Sequence, residues 1–112
     1  MEVKSVARNT GISPRKIRPL VDMVRGKPVD EALTLLRFAA SPHARVVAKV
    51  VKAAAADAES LYQIPSSELR VTRIFADEAM TLKRYRASAR RRVSPILKRS
   101  SHITVVVADG EA

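Results

Sequence analysis

Two strongly β-prone segments, separated by 25 residues without a glycine, constrain this chain more than anything else in it. The first is Leu69-Arg70-Val71-Thr72-Arg73-Ile74-Phe75-Ala76 and the second His102-Ile103-Thr104-Val105-Val106-Val107, both rich in branched or aromatic side chains. Between them, Asp77 to Ser101 carries eight Lys/Arg, with Pro95 as its lone breaker. A structureless loop of that length is uncommon in a compact domain. Disorder is one alternative; the other is that the two strands continue outward as a long antiparallel ribbon, and the counting favours the ribbon. With Phe75 opposite His102, the centre falls near residues 88–89, inside Arg86-Ala87-Ser88-Ala89-Arg90. Such a ribbon projects on the order of 35 Å at roughly 3.3 Å per residue. An isolated hairpin is marginal in water, and a basic one repels itself. It is therefore expected to order against a polyanion, or to be loosely ordered alone.

Upstream the hydrophobic period is helical. Ser13 as N-cap, Pro14 at the first helical position and Gly26 as the stop bracket a helix. Its stripe is Ile17, Leu20, Val21 and Val24, and Pro19 inside it removes a backbone donor and threatens a kink. Asp30 and Glu31 favour the start of a second helix through the dipole, with Ala32, Leu35, Leu36 and Ala39 as its apolar face. Ser41-Pro42 opens the longest helix, roughly 42–61, whose core stripe is Val47, Val50, Val51, Ala54, Ala58 and Leu61. Residues 3–10 suit an edge strand. The expected fold is α+β: a small body of three helices packed on an antiparallel sheet, with a long protruding β-hairpin. A chain of 112 residues suits one domain. Its body is expected at about 1–78 and 100–112 and its hairpin at about 79–99. Ala and Val dominate the apolar residues, so the core is expected to be thin and the intrinsic stability modest.

Charge is divided along the chain. Lys and Arg number 21 against 11 Asp and Glu, a formal net charge of +10. Residues 1–27 carry net +5, residues 28–78 net −1 and residues 79–112 net +6, and no acid lies between Ala79 and Ala108. The ends read as contact surfaces for a polyanion and the middle as scaffold. Cysteine is absent, which excludes disulfides, a thiolate zinc site and a cysteine nucleophile. His43 and His102 are too far apart for a metal motif, and no cofactor is expected. The three glycines, Gly11, Gly26 and Gly110, form no phosphate loop. No apolar run is long enough to span a membrane and no apolar segment follows Glu2 as a secretory signal requires, so a cytoplasmic protein is expected. Residues 83–99 offer too few apolar side chains for membrane binding.

Catalysis finds little support. His43 sits at a helix start and His102 at a strand start, and the Asp77-Glu78 pair suits a strand end better than acid–base work. Nucleic-acid binding finds much more. Lys83, Arg84, Arg86, Arg90, Arg91, Arg92, Lys98 and Arg99 supply eight cations, and guanidinium forks bind phosphate bidentately and stack on bases. Tyr85 lies among them as a stacking platform. The first basic zone adds Arg8, Arg15, Lys16, Arg18 and Arg25. A long cationic extension suits irregular folded RNA; a free-standing DNA- or RNA-binding regulator is the alternative, and a small hydrolase using His102 a weak third.

Over about residues 3–109 the chain resembles the bacterial large-subunit ribosomal protein twenty-two family. The most specific piece runs from Ile96-Leu97-Lys98-Arg99-Ser100-Ser101-His102 through Val107, supported by Leu69 to Glu78, Lys83-Arg84 and Ser13 to Gly26. The resemblance implies a structural, non-enzymatic protein of the large subunit, located with the ribosome in the cytoplasm. It implies that the body sits near the mouth of the peptide exit tunnel, and that the hairpin inserts through 23S rRNA and aids assembly. The implied partners are that RNA, neighbouring large-subunit proteins and the nascent peptide in transit, with no small-molecule substrate. By position, Lys83, Arg84, Arg90 and Arg92 are then tunnel-proximal or RNA contacts, and Lys98 and Arg99 hold RNA lower on the ribbon. The tunnel-lining tip is Arg86, Ala87, Ser88, Ala89, Arg90, Arg91 and Arg92. Arg91 stands where the family usually has a glycine, which makes this tip more basic.

Overall fold

A computed structural model describes residues 2–87 and 93–109. Strand β1 (Glu2–Ala7) leads to helix α1 (Pro14–Val24), then α2 (Val29–Arg37) and α3 (Ala44–Tyr62). A single 3-10 turn, Ser66–Glu68, precedes β2 (Leu69–Glu78). The chain then runs through β3 (Leu82–Ala87) and β4 (Val93–Lys98) and ends in β5 (Ser101–Asp109). Strands β1, β5 and β2 form an antiparallel sheet in that order, and β3 and β4 form a separate two-stranded ribbon. This is the α+β arrangement expected, three helices on an antiparallel sheet with a protruding hairpin.

The helices form where the apolar spacing placed them. In α1 the stripe Ile17, Leu20, Val21 and Val24 is buried, and the helix runs through Pro19, which is exposed. Ser13 occupies the N-cap position without a side-chain capping bond, and Pro14 fills the first turn. Gly26 ends the segment at φ +78°, a conformation that disfavours any side chain. There its N–H donates to the Val71 carbonyl at 2.9 Å and the Val71 N–H to the Lys27 carbonyl at 2.9 Å, so this loop extends the edge of β2. Helix α3 begins at Ala44, two residues later than the Ser41-Pro42 signal suggested. Ser41 and Pro42 form a preceding turn, in which the His43 N–H donates to the Ser41 hydroxyl at 3.2 Å. Leu61, expected in the core, is exposed, because it lies in the last turn of α3.

The core is made of small side chains. Among the described residues twenty-three apolar ones are buried, eleven of them Val and six Ala. All four aromatics lie outside it: Phe38 is 78% exposed, Tyr85 70%, Tyr62 43% and Phe75 41%. Helix α1 packs on β2, and α3 packs across β1 and β5.

Register is the main correction to the sequence reading. Phe75 pairs with Thr104, and His102 pairs with Asp77, a shift of two residues. Strand β2 runs on through exposed Asp77 and Glu78, charged residues that β-propensity places outside strands. A bulge at Thr72 also interrupts the β2–β5 ladder, and its hydroxyl donates to the Val106 carbonyl at 3.1 Å.

Candidate nucleic-acid interface

The sheet and the ribbon meet at a joint with unequal sides. The last sheet pair is Glu78↔Ser101 and the first ribbon pair is Leu82↔Lys98. Three residues, Ala79, Met80 and Thr81, connect them on the outgoing arm, but only two, Arg99 and Ser100, on the return. One extra residue on one strand breaks the ladder and adds local twist, so the ribbon starts as a new sheet. The Ala79 N–H still donates to the Ser100 carbonyl at 3.1 Å.

The loop from Arg8 to Ser13 is fastened to this joint. The Asn9 N–H donates to His102 Nδ1 at 3.1 Å, and the Thr10 N–H to the Ser101 carbonyl at 3.0 Å. The Thr10 and Ser101 hydroxyls share a hydrogen bond of 2.8 Å, and the Gly11 N–H donates to Ser100 Oγ at 2.9 Å. His102 thus accepts a backbone hydrogen bond at Nδ1, as a fastening of this loop. These bonds place the N-terminus of α1 against the base of the ribbon.

Cations from two distant parts of the sequence converge there. One cavity, about 340 Å³, is lined by Arg15, Arg18 and Arg99 with Ser13, Thr81, Ser100 and one acid, Glu78. A second, about 500 Å³, is lined by Arg15, Lys16, Lys98 and Arg99 with Gly11 and His43. Arg15, Lys16, Arg18, Lys98 and Arg99 therefore form one cluster, next to the partial positive charge of a helix N-terminus. Arg18 also approaches the Ala76 carbonyl at 3.5 Å.

Beyond the joint, cross-strand partners share a face of the ribbon. Arg84 faces Ile96, and Leu82 faces Lys98, on the side that also takes Arg86. Lys83 faces Leu97 and Tyr85 faces Pro95 on the other. Among the ten exposed large apolar side chains of the described residues, Met80, Leu82, Tyr85, Ile96 and Leu97 belong to the ribbon or its joint. A two-stranded ribbon has no interior in which to place them.

Two other expected site residues lie elsewhere. Arg8 is exposed just after β1. Arg25 sits at the far end of α1, where its guanidinium donates to Asp22 Oδ1 at 2.7 Å and to the Ile74 carbonyl at 2.9 Å, bracing α1 to β2. Ser88, Ala89, Arg90, Arg91 and Arg92 lie outside the described residues, and of Ala87 only the backbone is described. Among the described residues no group of His, Asp and Glu suits a metal ion, and no helix is long and apolar enough to cross a membrane.

The fold and its joint define a basic α+β protein with a cationic ribbon fastened at its base. Residues 5–108 match the family described as ribosomal protein L22p/L17e, and the chain belongs to that family, which is structural and non-enzymatic. Large ribosomal subunit protein uL22 from Dehalococcoides mccartyi strain CBDB1 is 62% identical over 109 residues, which cover 97% of this chain and 100% of that relative. The protein of the same name from Pelotomaculum thermopropionicum is 49% identical over 109 residues, covering 97% of this chain and 96% of the relative.

Proposed function

We propose that this chain is a structural constituent of the large ribosomal subunit that binds 23S rRNA in the cytoplasm and supports assembly of the subunit. The observation that carries this reading is the convergence of Arg15, Lys16, Arg18, Lys98 and Arg99 at the joint. Five cations gathered by specific hydrogen bonds, with one carboxylate nearby, repel each other and add nothing to a free protein's stability. Phosphates between them turn that repulsion into attraction. The ribbon's exposed apolar and aromatic side chains support the same reading, since stacking on unpaired bases covers them. Lys83, Arg84, Tyr85 and Arg86 then contact RNA along the ribbon. The tip, Arg86 to Arg92, lines the exit tunnel and meets the nascent peptide, a role that rests on membership of the family and on the outward direction of the ribbon. Neighbouring large-subunit proteins complete its surroundings.

The test is binding of the full chain to transcribed 23S rRNA across a series of KCl concentrations. Arg15→Gln/Arg18→Gln/Arg99→Gln is expected to reduce the slope of log affinity against log salt by about 2, at roughly 0.7 per contact to single-stranded RNA. An unchanged slope refutes phosphate contact at the joint. In cells the chain is expected to sediment with large subunits after a high-salt wash; a predominantly free pool refutes the structural role.

A further inference from the structure

Residues 28–78 look like neutral scaffold because their charges nearly cancel, but the fold separates those charges in space. Helices α2 and α3 are consecutive and joined by six residues, 38–43, so they pack as an antiparallel pair. Along α3 the cations Arg45, Lys49 and Lys52 precede the acids Asp57 and Glu59, and along α2 the acids Asp30 and Glu31 precede Arg37. In α3 this order runs against the helix dipole, with no acid in the first turn and no base in the last. Helix stability therefore does not explain it.

An open groove of about 580 Å³ lies between the two helices at their cationic end. Its floor includes Leu33, Leu36, Ala44 and Ala48, its rim carries Arg37, Arg45 and Lys52, and among the described residues no acid lines it. A neighbouring hollow joins Arg45 and Lys52 to Lys49, again without an acid. Among the described residues none of these four cations makes an ion pair. Phe38, between lining residues Arg37 and Ala39, is almost fully exposed, and the Arg37 guanidinium lies 5.7 Å from its ring centroid. The turn before α3 lies between groove and joint: His43 lines the joint cavity, and its chain neighbours Ser41, Pro42 and Ala44 line the groove.

We infer that this groove is a second RNA seat, and that one single-stranded segment runs from the ribbon's base past His43 into it. This rests on the RNA-binding reading above. Arg45, Lys49 and Lys52 follow one another at about 6 and 4.5 Å along the helix axis, close enough to serve successive phosphates of one strand. Phe38 with Arg37 beside it offers an aromatic and a guanidinium surface on which an unpaired base stacks. An acidic peptide is the poorer occupant. Its amide donors need acceptors, and the groove's side chains offer only two hydroxyls, Thr34 and Ser41, of which Ser41 already accepts from the His43 N–H at 3.2 Å.

The experiment measures binding of the full chain to transcribed 23S rRNA at several KCl concentrations, with far-UV circular dichroism as the folding control. Arg37→Gln/Arg45→Gln/Lys52→Gln changes exposed side chains only and is expected to lower the salt slope by about 2. Phe38→Ala is expected to weaken binding about five- to a hundredfold with the slope unchanged, and Phe38→Trp to retain affinity. If the wild-type chain does not bind this RNA, or the joint variant behaves as wild type, the underlying RNA reading fails. If the wild type and joint variant behave as stated but both groove variants bind like the wild type, only the groove inference is overturned. It is equally overturned if groove variants keep full RNA affinity but lose neighbouring proteins from the assembled subunit.

Discussion

The hydroxyl pair Thr10–Ser101 ties the start of α1 to the root of the ribbon, and its two ends are not equivalent. Ser101 is fully buried, whereas Thr10 is half-exposed. Ser101→Ala removes one hydrogen bond and leaves a Thr10 hydroxyl that still accepts from the Ile12 N–H at 3.3 Å and can reach water. The expected loss is about 0.5–1.5 kcal/mol. Thr10→Val instead strands the Ser101 hydroxyl where no water reaches it, at about 1–3 kcal/mol. The double variant keeps the loss at the Ile12 N–H but no longer strands the Ser101 hydroxyl, so its loss should fall short of the sum by about 1 kcal/mol. Urea unfolding of the four proteins measures this cycle, and for a chain of this size 1 kcal/mol corresponds to about 4 °C in Tm. Additive losses, or a larger loss for Ser101→Ala than for Thr10→Val, refute the fastening. Because the same bond positions Arg15 beside Arg99, each single variant should also weaken RNA binding without changing its charge.

Two further perturbations test the local geometry. Gly26→Ala meets no atom within 4 Å at the added methyl, so its cost is the backbone conformation alone, about 1–2 kcal/mol by urea midpoint; a neutral result contradicts the positive φ. Deleting Met80 equalises the two connectors at the joint, so the ladder should become continuous from Glu78 to Leu82. Slower amide exchange at Thr81 and weaker RNA binding are the expected readouts, and unchanged exchange there argues against the mismatch.

The helices were legible because their signals are local. Ile17, Leu20, Val21 and Val24 lie within eight residues, and their spacing alone defines the buried face of α1. The ribbon was legible for a different reason: two β-prone runs separated by a glycine-free basic stretch leave few ways to close the chain. Its register was not, since it depends on two single-residue irregularities, at Thr72 and among Ala79 to Thr81, that no periodicity announces. Arg25 looked like a free cation because its partners, notably the Ile74 carbonyl, are distant in sequence. The cationic end of the α2–α3 pair was hidden by summing charge over segments; the spacing of Arg45, Lys49 and Lys52 along one helix was the available signal. Leu61 continued a good stripe past the point where the sheet could cover it.

A core without aromatic rings also decides how this protein can be watched. With no tryptophan, its ultraviolet emission comes from two phenols, Tyr62 at the end of α3 and Tyr85 on the ribbon. Both already face solvent when the chain is folded, so melting of the body should pass almost unseen by fluorescence. Stacking of a nucleobase on Tyr85 should instead quench it, which makes the native chain its own optical reporter of docking.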